Sequence, residues 1–362
     1  MEDISLKMLA ELGAIPTAPF YEHGIMRYVM EKLRLWGVPF ETDKWGNIIA
    51  HLQRGEGKQQ LAFVAHMDHP AIEIINENTA CLLGGIKLEY FKNRKVAVLL
   101  YLINGAYATS GLLFNPQESG IKNQIQFTFE SEKIISSGFG NWLVAPGFYQ
   151  RDGIIRMRAA DDLVGVASML NLLKSLSEND AINCDVFCVF TRAEEMGGIG
   201  ATLIAESGIL PLDAMVISIE ASKILPGANA GDGVIIRTGD AKSVFTNEAN
   251  ALMVKTGKAL LETDSNFSFR RQLMYGGTCE SSAFAVFGYT VGAVAVPLGN
   301  YHNMDPHGLL ASEYIAEADF LKAQRFLLKL VEVARDYNGR DVLEKFKTDL
   351  IDTSRKNLNR LK

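Results

Sequence analysis

Residues 61–65, Leu-Ala-Phe-Val-Ala, form an unbroken apolar run that stops at His66-Met67-Asp68. A run of this length suits a strand buried on both faces, because a half-exposed strand would alternate apolar and polar residues. The same pattern recurs along the chain. The apolar strand Val186–Phe190 precedes Glu194-Glu195, the strand Ala214–Ile219 ends at Glu220, and the strand Val291–Val296 leads by a short loop to His302. Asp161-Asp162 opens a stretch to Leu176 whose spacing predicts an amphipathic helix. Strands alternating with helices predict an α/β architecture, and open sheets of that class bind ligands beyond the carboxyl ends of their strands. Polar clusters far apart in sequence can therefore converge at one crevice.

The rest of the chain divides by texture. Residues 4–36 carry apolar positions at helical spacing, interrupted at Pro16 and Pro19, and Asp43–Asn47 forms a turn into the strand Ile48–Ala50. From about Pro70 to Met157 short β-type runs lie between Gly, Pro and Asn turns, with strict alternation in Ile125–Glu130, which predicts an all-β insertion. The expected division is a discontinuous α/β domain over 1–70 and 157–362 and an inserted β domain over 71–156. A charged helical region is expected from about 312 to 350, with Arg355, Lys356, Arg360 and Lys362 in a solvated tail. With 362 residues, 48% hydrophobic and 22% charged, the chain has material for more than one core. Its formal charge of −6 argues against nucleic-acid or anionic-membrane partners. The start lacks the order of a signal peptide, and the uncharged stretch 283–301 reads as buried strand and turn because glycines and Pro297 interrupt it. Four scattered cysteines, with no C-x-x-C, fit a reduced, cytoplasmic protein; Cys184 and Cys188 are expected to pack in a core.

No G-x-S-x-G, P-loop or H-E-x-x-H occurs, which removes several enzyme classes. What the strand-end clusters supply is two imidazoles and several carboxylates without thiolates. That donor set suits borderline or harder divalent ions, Zn²⁺ first, with Co²⁺ or Mn²⁺ also suited. His66 with Asp68 fits a ligand whose second ring nitrogen is held by a carboxylate. In Glu194-Glu195 one carboxylate can bind metal while the other takes a proton from water. Each cluster has a commoner explanation when taken singly. Asp161 is a good helix N-cap, the glutamates suit a helix start, and Glu220 and His302 could be solvated loop residues. Five coincidences at strand ends outweigh those separate explanations. His69 and His307 could line the rim of such a site, whereas His23 and His51 read as surface positions.

These segments, in order, resemble the glutamyl/tetrahedral aminopeptidase family of dinuclear zinc exopeptidases, metallopeptidase family forty-two. The matching segments are Asp43-x-x-Gly46-Asn47, Ala65-His66-Met67-Asp68, Asp161-Asp162-x-x-Gly165, Glu194-Glu195-x-Gly197-x-x-Gly200-Ala201, Gly276-Gly277-Thr278 and Tyr301-His302. The resemblance implies a mixed central sheet flanked by helices with an inserted small all-β domain. It implies one metal held by His66, Asp161 and Glu220, and a second held by Asp161, Glu195 and His302. Glu194 would be the general base and Asp68 the partner of His66. It also implies short peptide substrates and a homo-oligomer, a dimer or larger. The 93 positions between Asp68 and Asp161 leave room for the insertion there. Related carboxypeptidases and deacylases carry their extra domain between the positions of Glu220 and His302, so the placement favours an aminopeptidase.

Three departures stand against this pattern. Glu220 replaces a usual aspartate, Leu163 replaces a usual basic residue, and the insertion shows little motif similarity. The competing readings are an N-acyl amino-acid deacylase or carboxypeptidase using the same two-metal chemistry, and a scaffold protein without metals.

Overall fold

Proline removes an amide donor and breaks a continuing helix, and the chain accordingly starts with two helices, α1 (Glu2–Gly13) and α2 (His23–Leu35). The computed structural model describes residues 2–55, 59–119, 124–144, 147–337 and 339–361, so Met1 and Lys362 lie outside the described residues. Strands β1 (Phe40–Thr42), β2 (Ile48–Arg54) and β3 (Leu61–His66) follow. A second group comprises β4 (Ala71–Asn76), β5 (Thr79–Leu83), β6 (Val96–Tyr101), β7 (Tyr107–Glu118), β8 (Ile125–Ser131) and β9 (Gly138–Trp142). The chain continues through β10 (Tyr149–Arg151), β11 (Ile154–Met157), α3 (Ala160–Ser177), β12 (Cys184–Thr191), α4 (Ile199–Ser207), β13 (Met215–Lys223) and β14 (Val234–Gly239). It ends with α5 (Asn247–Thr263), β15 (Phe269–Leu273), α6 (Glu280–Val286), β16 (Thr290–Gly299), β17 (Glu313–Ala316), α7 (Glu317–Arg335) and α8 (Gly339–Asn357).

Among the described residues the large sheet is mixed, in the order β1-β2-β12-β3-β13-β16-β17-β11-β10, with β14 and β15 branching from β16. Its centre, β12-β3-β13-β16, is parallel. Every residue of β3 is buried. Leu61, Phe63 and Ala65 enter the core formed with α1, α2, α3, α5 and α7, while Ala62 and Val64 enter a second core under α4 and α6. This two-sided burial is why the run is apolar without alternation. The second group of strands closes into a barrel, β4-β5-β8-β7-β6-β9. The alternation in β8 puts Ile125, Phe127 and Phe129 inside, with Phe91 and Trp142. Strands β10 and β11, at the end of the 71–156 stretch and reaching Met157, pair with each other, and β11 pairs with β17 in the large sheet.

Three local expectations change. Helix α3 is buried on nearly every face rather than amphipathic, because it lies between the sheet and helices α1 and α7; Asp161 and Asp162 have non-helical backbone. Glu220 sits inside β13, which runs on to Lys223, rather than at a strand end. The region from 312 begins with the short strand β17 before α7 and α8, because Tyr314 and Ile315 pair with both β11 and β16. Cys184 and Cys188 are buried in the main core, as their strand position predicts. Among the described residues no helix is long and apolar enough to cross a membrane.

Gly165 sets how closely α3 approaches β3. A Cβ there would press on the Asp162 side chain and lie 2.8 Å from the Ala65 Cβ. Gly165→Ala should cost about 1–3 kcal/mol through overpacking, seen as a lower Tm in thermal denaturation; an unchanged Tm would show that this contact yields freely.

Candidate metal centre

Parallel register gathers the clusters. His66 and Thr191 are opposite each other at the ends of β3 and β12, so the segments leading to Asp68 and to Glu194-Glu195 leave the sheet side by side. Glu220 faces Ala295 across the β13–β16 pair, and the turn after β16 returns His302 to the same edge. Asp161, at the start of α3, lies between the two imidazoles. Its Oδ1 is 3.3 Å from His66 Nε2 and its Oδ2 is 3.8 Å from His302 Nε2. His302 Nε2 is also 3.1 Å from Glu195 Oε2. Ligand atoms of His66, Asp161 and Glu195 lie within 4.8 Å of one another. Glu220 stands outside that trio, with its Oε2 3.8 Å from Arg237 Nη1.

Both imidazoles present the same nitrogen inward. His66 Nδ1 is 3.1 Å from the main-chain carbonyl of Asp68, and His302 Nδ1 is 2.9 Å from that of Gly85. A carbonyl accepts only, so each Nδ1 is the donor, and Nε2 is left facing carboxylates. Asp161 Oδ1, Glu195 Oε1 and Glu220 Oε1 are buried without a hydrogen-bond partner. Unpartnered carboxylate oxygens around inward Nε2 atoms are unfavourable in a buried site unless a positive charge satisfies them. This donor set fits divalent cations. The electrostatics agree: burial opposes charge on His302, yet the Glu195 and Asp161 carboxylates outweigh it and raise its pKa to about 9. Burial and the Glu195, Glu280 and Asp68 carboxylates push the pKa of Glu194 well up, against the attraction of His66. That gives a cavity-wall carboxylate a high affinity for a proton.

Asp68 faces His66 and has a second task besides. Its carboxylate is 3.6 Å from His66 Nδ1, while its two oxygens accept the amides of Glu194 (2.9 Å) and Glu195 (3.0 Å). It holds the paired glutamates as much as it faces the imidazole.

Several residues that sequence reasoning missed complete the site. The fully buried Glu313 accepts the amide of Asp161 (3.0 Å) with one oxygen and that of His302 (2.8 Å) with the other. His302 has left-handed backbone (φ 56°), as do its neighbours Asn300 and Asn303, and such strain persists where contacts over-determine it. Asp162 accepts the amides of Gly165 and Ala221, both at 3.1 Å, tying α3 to β13 beside Glu220. Glu280 is buried near Glu220 and accepts from Thr191 Oγ1 at 3.0 Å. No spacing or motif marks Glu313, Glu280 or Arg237; a buried acid at the first residue of a short strand is the one faint signal.

His69 is not at a rim. It is buried behind Asp161, with Nδ1 2.6 Å from the Asp161 carbonyl and Nε2 3.0 Å from Asn303 Oδ1, and burial lowers its pKa to about 4. His307 is exposed on the following loop, His23 is exposed at the start of α2, and His51 on β2 pairs with Asp185 on β12 at 2.8 Å. Leu163 is fully buried in the main core, a setting that suits an apolar side chain and offers no counter-charge. A small cavity opens over His66, Asp161, Glu194 and Glu220, with Gly276, Gly277 and Tyr301 in its wall.

The sequence profile of the M42 glutamyl aminopeptidase family matches residues 128–310, just over half of the chain. The structure is similar to aminopeptidase APDkam598 from Desulfurococcus kamchatkensis (TM-score 0.75, 19% identity, covering 94% of this chain and 96% of that one). It is also similar to the Pyrococcus horikoshii TET1 peptidase, which can assemble into a tetrahedron or a large octahedral shell (TM-score 0.73, 18% identity, 90% and 99% covered). A Thermotoga maritima protein described as an endoglucanase shares the fold too (TM-score 0.63, 19% identity, 90% and 98% covered). Likeness at these identities speaks for the fold, and the family match decides the chemistry among the readings left open above. The chain belongs to the M42 glutamyl aminopeptidase family: it is a metal-dependent aminopeptidase, a peptide-bond hydrolase that works with divalent metal ions.

Proposed function

We propose that the chain removes N-terminal residues from short peptides, with two divalent ions, zinc by preference, sharing Asp161. His66 and Glu220 complete the holders of one ion, Glu195 and His302 those of the other. The observation that carries this reading is the Asp161 carboxylate with one oxygen toward each Nε2. Imidazole and carboxylate donors without thiolate suit zinc, with cobalt or manganese as substitutes. When bound, such ions polarise a peptide carbonyl and make water acidic enough to ionise near neutral pH. Glu194 takes the proton from the attacking water and returns it to the leaving amine. Asp68 holds the amides that aim Glu194, and the Gly85 carbonyl keeps His302 in the tautomer with Nε2 inward.

The residues 71–156 are proposed as an inserted domain for self-association or substrate access, beside an α/β catalytic domain formed by 1–70 and 157–362. Exposed apolar side chains on the barrel support this, notably Ile103 (53% exposed) and Ile134 (83% exposed). Four buried free cysteines support a cytoplasmic setting.

Glu194→Gln should leave metal content near wild type and lower kcat by at least about 10²-fold, the usual worth of a positioned acid–base group; near-normal turnover of an aminoacyl anilide would eliminate Glu194 as the base. Asp161→Ala should reduce bound metal for both ions, read by elemental analysis of the purified protein. Full occupancy would contradict a shared ligand. The double variant Ile103→Asp/Ile134→Asp should shift light-scattering mass toward the monomer with activity on dipeptides retained, and an unchanged mass would place the assembly surface elsewhere.

A further inference from the structure

Glu22 takes no part in the site described so far, yet it is fully buried. It stands at the N-cap of α2, and its side chain makes no capping hydrogen bond. The carboxylate is used across the molecule instead. One oxygen accepts the amides of Phe20 (2.8 Å) and Ala193 (3.0 Å), and the other accepts Arg192 Nε at 2.7 Å. The Arg192 guanidinium spends its remaining nitrogens on the carbonyls of Trp45 (2.7 Å) and Phe20 (2.9 Å). The Arg192 amide donates to Asn47 Oδ1 at 3.0 Å, and Asn47 is itself held by Asp43.

These contacts complete a pattern at the paired glutamates. Three successive amides, those of Ala193, Glu194 and Glu195, each end on a buried carboxylate, the first on Glu22 and the next two on Asp68. The turn they form carries a left-handed, non-glycine backbone at Ala193 (φ 51°). A β-carbon residue leaves that conformation unless its neighbours hold it. Asp68 alone cannot hold it, because its oxygens are taken one and two residues downstream.

We propose that Glu22 and Arg192 are positioning residues for Glu194: the ion pair clamps the Ala193 amide and so fixes the direction in which the next side chain leaves the turn. The inference rests on Glu194 being the base. It makes the segment before α2, and the turn at Asp43–Asn47, part of what positions the base. Charge is essential to the clamp. A carboxylate accepts two amides and a guanidinium together, whereas a glutamine at position 22 keeps one acceptor oxygen and turns a donor toward either Arg192 or the amides.

The test is Glu22→Gln in the full chain loaded with zinc. The expected result is a kcat lower by about a hundredfold, the scale of a displacement of about 1 Å at a reacting group. KM and the metal content should stay at wild-type values. Hydrogen–deuterium exchange should become about tenfold faster for the amides of Ala193–Glu195, the loss of one charge-assisted hydrogen bond, with exchange in the barrel strands unchanged. Arg192→Lys keeps the charge but gives up the fork, and should show the same pattern to a smaller degree; it carries the test if Glu22→Gln does not fold. Wild-type kcat with slow exchange in either variant overturns the proposal. So does a loss of activity that comes with metal loss or faster exchange throughout, since the pair would then be a general structural support. If Glu194→Gln is itself active, the base assignment falls, while the exchange measurement still reports whether the clamp exists.

Discussion

Burying a carboxylate is costly unless each oxygen is hydrogen-bonded or faces a cation, and that constraint sorts the acids around the cavity. Asp68 and Glu313 spend both oxygens on backbone amides, and Glu22 divides its oxygens between amides and a guanidinium. Such acids set the backbone in place. Asp161, Glu195 and Glu220 keep a buried oxygen with no partner, and these are the acids closest to the inward imidazoles or to Arg237. Asp162 and Glu280 are half spent, each with one oxygen engaged and one without a partner. The division distinguishes, residue by residue, acids spent on holding backbone from acids left with an unpartnered oxygen.

The amide-binding acids also explain how strained backbone survives at the site. Ala193 and His302 both have positive φ, which costs a residue with a β-carbon on the order of 1–2 kcal/mol. Each is held by a buried carboxylate on its amide, Glu22 for the first and Glu313 for the second. In return, Glu194, which follows Ala193, lines the cavity, and His302 turns its Nε2 toward Glu195 and Asp161. Strain is thereby converted into aim.

The barrel is joined to this centre rather than merely attached to the sheet. The Gly85 carbonyl, just past β5, accepts from His302 Nδ1, and a Cβ on Gly85 would sit 3.2 Å from that nitrogen. Trp142 donates to the Pro70 carbonyl and Asn141 to the Thr17 carbonyl, while Tyr90 donates to the Asp305 carbonyl on the loop after His302.

Much was legible in the chain alone. The apolar runs at 61–65, 186–190 and 291–296 announced buried strands because burial on both faces removes alternation, and the alternation at 125–130 announced a β strand with one face on a core, though not that the strands close into a barrel. The polar residues that stop those runs announced a site, since an open parallel sheet gathers its strand ends. Other features were invisible there. Glu313 reaches Asp161 across 152 positions and Glu22 reaches Ala193 across 171, and no local pattern encodes a partner so distant. Nor did periodicity reveal that α3 is enclosed on nearly all sides, that Glu220 lies within its strand beside Arg237, or that His69 braces Asp161 from behind. Local composition determines which segments must be buried and what chemistry they carry to the crevice; which acid holds a backbone and which is left to face a cation is decided only when distant segments meet, because hydrogen bonds answer to distance in space.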